Sequence, residues 1–139
     1  MTRTHVRQIL LCCVATVFLA EAASALWNPH AAAARVGYEV AGPDGLSEYR
    51  AVYLGMFGAL GVATLIAARR VREPLLADVI CAAIVAEAAA RLVGVVLDGM
   101  PGPVHVVNIV MEGFRVVILA LRPTEAALAA EPSAWSRPT

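Results

Sequence analysis

The chain has 139 residues, enough for one domain; 60% of them are apolar and 16% are charged. A soluble domain is nearer about half apolar and about a quarter charged, so the mean hydropathy of +0.72 predicts an integral membrane protein. The formal net charge is zero, which removes any electrostatic case for a nucleic-acid partner.

Four apolar runs follow one another, each close to the ~20 residues that a bilayer requires. The first runs from about Val6 to Trp27 and ends at Asn28-Pro29. Two readings of it stand. Arg3 and Arg7 ahead of an apolar core, with Ala23-Ser24-Ala25 behind it, form a signal-peptide pattern. Glu21 at the end of the core, and apolar character that continues to Trp27, favour a retained helix. Cys12 and Cys13 are sequence neighbours, a poor geometry for a disulfide, and with Cys81 they read as small apolar residues of their helices. The segment from Asn28 to Ser47 is longer than a tight turn. Its stretch His30 to Val40, with Ala31 through Ala34, suits either a short helix over the bundle or a solvated loop.

The second span is expected from about Glu48 to Ala68. Gly55, Gly58 and Gly61 recur along it, and small residues permit close helix approach; packing inside the bundle is one use, a homo-oligomer the other. The third span is expected from Pro74 to Leu97 and the fourth from Val104 to Leu121, separated by Asp98-Gly99-Met100-Pro101-Gly102-Pro103. Residues 1–122 thus form an all-α, four-helix transmembrane domain, and residues 123–139 a short cytoplasmic tail. Arg3 and Arg7 precede span one, Arg69, Arg70 and Arg72 fill the turn between spans two and three, and Arg122 and Arg137 follow span four. The opposite loops hold Arg35 alone. The positive-inside rule then puts both termini in the cytoplasm and the chain, multi-pass, in the inner (plasma) membrane.

Ionisable residues inside the spans are costly, ~2.5–3.5 kcal/mol each at the bilayer centre on insertion scales, so their positions carry information. Glu87, Arg91 and Asp98 fall within about 40° of one another on span three. On span four His105, Asn108, Glu112 and Arg115 fall within about 80°. With Glu21, Glu48, Tyr49, Arg50 and Tyr53 these residues, Asp98 aside, occupy one layer between the midplane and the outer surface, Arg115 being the deepest. Glu87–Arg91 and Glu112–Arg115 have the spacing to neutralise themselves on their own helices. Four carboxylates (Glu21, Glu48, Glu87, Glu112) face three guanidiniums (Arg50, Arg91, Arg115), so one carboxylate is left over. Such a layer is either a structural lattice or the lining of a polar cavity.

No metal site is expected: His5, His30 and His105 are scattered, and neither His-x3-His nor Glu-x-x-His occurs. No Gly-rich phosphate loop, GxSxG or CxxCH is present, so cofactor-free chemistry is the reading.

Span two opens with Glu48-Tyr49-Arg50-Ala51-Val52-Tyr53-Leu54-Gly55, span three ends with Arg91-Leu92-Val93 before Asp98-Gly99-Met100-Pro101, and span four carries Glu112. From about Trp27 to Arg122 this resembles the small bacterial four-helix membrane proteins of domain-of-unknown-function family 4345. Leu54 stands where the family pattern has the first Gly of a pair. The resemblance implies the fold and the shared polar layer, and it supplies no reaction.

The expected function is binding or transformation of an apolar, lipid-like molecule by acid–base chemistry of the isomerase, cyclase or hydrolase type. Glu87 and Glu112 are the expected proton donors and acceptors, and Arg50, Tyr53, Arg91, His105, Asn108 and Arg115 the expected binding residues. Partners would be membrane lipids or an apolar small molecule. The alternatives are an accessory protein held together by its ion pairs, and a transport subunit, for which the other half of the bundle offers little beyond Gln8, Thr64 and Asp78.

Overall fold

A computed structural model describes residues 3–122; the tail expected at 123–139 lies outside the described residues. Five helices follow in order: α1 (Arg3–Trp27), α2 (Pro29–Arg35), α3 (Gly42–Arg69), α4 (Leu75–Asp98) and α5 (Pro103–Ala120). Four of them, α1, α3, α4 and α5, are long and apolar enough to cross a membrane. Their outward faces carry exposed Val79, Leu92, Val107, Phe114 and Val117 among many others. That much apolar surface marks contact with lipid, and the chain is a multi-pass membrane protein.

Helix α3 begins at Gly42, further toward the α2 end than the expected Glu48. Pro43 occupies its first turn, where a missing N–H costs nothing, and Asp44 there complements the helix dipole. Residues Ala51–Met56 form a π-helical turn within it. Of the two readings left open for His30 to Val40, the structure has the short helix, α2, which ends at Arg35. Asn28 caps it, its Oδ1 accepting from the Ala31 N–H at 3.2 Å, and Pro29 fills the first position. Its other end is a Schellman motif: the Tyr38 N–H donates to the Ala33 carbonyl at 3.0 Å and the Gly37 N–H to Ala34 at 3.1 Å. Gly37 supplies the positive φ of 79° that this stop requires.

The long helices pack as two pairs, α1 along α3 and α4 along α5. The pairs join at the arginine-rich end, opposite α2, through one core that includes Leu11 and Phe18 of α1, Ala67 of α3, Ile80 and Ile84 of α4, and Leu119 of α5. There the buried Arg7 donates from Nη1 to the Val71 carbonyl, tying α1 to the α3–α4 turn, and Arg122 meets Asp78 at 3.0 Å. At the other end a second core of Ala25, Ala32, Ala33 and Tyr49 fastens α2 onto α1 and α3 without involving α4 or α5. The pairs therefore separate toward the α2 end, and the polar residues lie where they part.

Candidate functional site at the parting of the helix pairs

Arg91 of α4 is the hub. Its Nη2 donates to Glu87 Oε1 at 2.9 Å, one helical turn back. Its Nε lies 2.6 Å from Glu112 Oε1 on α5. That approach is a close ion pair whose N–H is not aligned as a hydrogen bond. Glu87 and Arg91 are about a quarter exposed, whereas the Glu112 side chain is 2% exposed. Desolvation of this kind is tolerated only against a partner charge, and the partner comes from the neighbouring helix. The i, i+3 pair expected between Glu112 and Arg115 is thus replaced by a cross-helix pair. The Arg115 guanidinium instead sits 4.9 Å from the centroid of the Phe18 ring on α1, a cation–π arrangement, with Glu21, Glu87 and Glu112 within electrostatic reach.

A cavity of about 40 Å³ lies among Glu21, Val36, Tyr53, Phe57, Glu87, Arg91, Asn108, Glu112 and Arg115, room for about one water molecule. Besides Arg91 Nε, two atoms at this level, Glu112 Oε2 and Arg115 Nε, are buried without a hydrogen-bond partner among the described residues. All four long helices contribute to the lining. The polar stripe of α5 is turned inward as its spacing predicts: His105, Asn108 and Arg115 are half-buried and Glu112 buried, while Val107, Val110, Phe114 and Val117 are exposed.

Two wider cavities flank this one and share Arg91 and Tyr38. A cleft of about 580 Å³ opens between α3 and α4, walled by Tyr38, Tyr49, Tyr53, Phe57 and Ala90 and edged by Glu39, Glu48 and Glu87. A second, of about 440 Å³, lies between α4 and α5 and holds Asp98 and His105. Asp98, on the Glu87–Arg91 stripe by spacing, faces this second cavity. The rings of the cleft form a ladder along α3: Tyr49 stacks on Tyr53 at 4.4 Å, and Tyr53 lies 5.3 Å from Phe57. Tyr38 meets Tyr53 and His105 edge-on, each at 6.4 Å.

Of the residues singled out by sequence, Glu87, Arg91, Tyr53, Asn108, Glu112 and Arg115 come together around the small cavity, and His105 borders the neighbouring one. Arg50 does not join them: its side chain is exposed and lines none of the three cavities, because it follows Tyr49 by one position and points away from the ring ladder. Glu48 is exposed at the rim of the cleft rather than at its base. Without Arg50 and Glu48 the small cavity still holds three carboxylates against two guanidiniums. Sequence reasoning missed Tyr38, which belongs to both wider cavities. The signal was available in Ala31–Ala34 followed by Gly37, a helix stop that fixes where the next residue goes.

Comparison with known proteins extends over the same elements. Residues 6–121 match a family described as a domain of unknown function. No curated protein matches the chain significantly, and neither does any solved structure. A match from the first span through the last identifies the chain as a member of that family, domain of unknown function (DUF4345).

Proposed function

We propose that this protein binds, and by acid–base chemistry transforms, an amphiphile whose chain enters from the lipid and whose polar end meets the Glu87–Arg91–Glu112 group. The observation that carries this reading is Glu112. It is almost fully buried, it has an oxygen without a hydrogen-bond partner, and it borders a polar cavity that shares Tyr53, Phe57, Glu87 and Arg91 with a cleft large enough for a small-molecule ligand. A purely cohesive ion pair needs no opening beside it. In this reading Glu112 and Glu87 give and take protons, Arg91 and Arg115 hold them in place, and Tyr53, Asn108 and His105 contact the ligand. No cofactor is invoked. The arginine distribution supports an orientation with both termini cytoplasmic and the cleft toward the outer face of the inner membrane.

A lattice role has one observation in its favour: both partners of Arg91 come from the protein itself. Transport through the monomer is opposed by the core at the arginine-rich end, where Leu11, Phe18, Ile84 and Leu119 are each at most 1% exposed. The test is lipid extraction and mass spectrometry of the protein purified in mild detergent. A bound amphiphile enriched over the host membrane is expected. An extract that merely mirrors the bulk lipid would contradict the proposal.

A further inference from the structure

We infer that the α3/α4 cleft selects an organic cation, a quaternary ammonium or protonated amine carried on an apolar chain. The inference rests on the amphiphile reading above and specifies its head group. Four aromatic rings, Tyr38, Tyr49, Tyr53 and Phe57, line the cleft. Tyr49, Tyr53 and Phe57 spend ring faces on one another, whereas Tyr38 is 46% exposed, and an open aromatic face attracts weakly hydrated ammonium heads through the ring quadrupole. Charge points the same way. Glu39, Glu48 and Glu87 edge the cleft, against the single guanidinium of Arg91. That guanidinium is already held between Glu87 and Glu112, at 2.9 and 2.6 Å. It has little field left to offer an anionic head.

The deeper cavity adds Glu21, Glu112 and Arg115, so the cleft and its base together hold five carboxylates and two guanidiniums. Glu112 Oε2, buried and without a hydrogen-bond partner, lies at that base. Arg35 reaches Tyr49 electrostatically but lines none of the three cavities. An inorganic ion fits less well. The carboxylates are spread along the cleft, and among the described residues no three His, Cys, Asp or Glu groups converge as a metal site. Diffuse negative charge beside aromatic walls matches a bulky organic cation, and the apolar wall of Val52 and Ala90 matches its chain.

The test uses the full chain reconstituted in bilayers of an uncharged galactolipid. Three spin-labelled probes share one stearyl chain and differ in head: trimethylammonium, carboxylate and alcohol. Electron paramagnetic resonance reads the fraction of each probe held motionally restricted by the protein. The ammonium probe should be favoured over the alcohol by about three- to tenfold. The preference should collapse in Tyr38→Leu combined with Glu39→Gln and Glu48→Gln, three positions exposed enough to leave the fold intact. Equal restriction of ammonium and alcohol, or a preference for carboxylate, would overturn the inference. Ala90→Trp, which fills the cleft, separates that failure from failure of the amphiphile reading. If it lowers restriction of the alcohol probe, an amphiphile still enters the cleft and only the head-group assignment falls. If it changes no probe, both fall.

Discussion

Arg91 stands between two carboxylates of unequal burial, and the inequality has a measurable consequence. Arg91→Ala removes the close partner of both, and breaking a buried ion pair by deleting one partner costs about 3–5 kcal/mol. Glu112 is the more deeply buried, at 2% exposure against 24% for Glu87. Adding Glu112→Gln to Arg91→Ala should therefore recover more stability than adding Glu87→Gln. Thermal unfolding of the three variants in detergent checks the order, and strictly additive losses would show that the charges are not coupled. The Glu87–Arg91 half of this group was legible in the sequence, because i, i+4 neighbours on one helix meet wherever that helix goes. The Arg91–Glu112 half was not. Helical period says that Glu112 faces inward, but which guanidinium it meets depends on the rotation of α5 against α4. Arg115, three residues on, was the nearer candidate by sequence and packs on Phe18 instead.

Among the elements, the closest approach is α1 to α3. A Cβ at Gly61 would lie 2.7 Å from Leu19 Cγ and 3.3 Å from the Leu19 backbone nitrogen, whereas one at Gly58 would meet nothing nearer than 3.8 Å. Gly61→Ala should lower stability by about 1–3 kcal/mol through overpacking, and Gly58→Ala should be nearly neutral; their melting temperatures, measured side by side, decide it. The contrast separates Gly61 from Gly58, which their even spacing could not. Four spans were legible because length and apolar content suffice to mark a crossing. The start of α3 was harder to read. Gly42-Pro43-Asp44-Gly45 resembles a turn, yet Pro and Asp in a first turn are also helix-start signals. The π-helical turn at Ala51–Met56 leaves no mark in composition. It lies between Tyr49 and Phe57, within the ring ladder that walls the cleft, and such turns often accompany functional sites.

At the scale of the whole molecule, two helix pairs closed at the arginine-rich end and parted at the α2 end leave a small polar pocket flanked by two wider cavities. The arginines predict which end is which. In intact cells, cysteines placed at Arg35 or Asp44 should react with an impermeant thiol reagent and one at Arg70 should not, the native cysteines having been replaced. Labelling at position 70 would reverse the assignment. The polar pocket itself is tested most directly by Glu112→Gln, which keeps the side-chain shape and removes the charge and the exchangeable proton. Two quantities are measured on the same purified protein: melting temperature, and retention of the amphiphile that co-purifies with the wild type. A binding site predicts that retention is lost in a variant that still folds, with some lowering of the melting temperature because Arg91 keeps only Glu87 as its close partner. A lower melting temperature with retention unchanged would contradict it and leave the Glu87–Arg91–Glu112 group as a structural tie between α4 and α5.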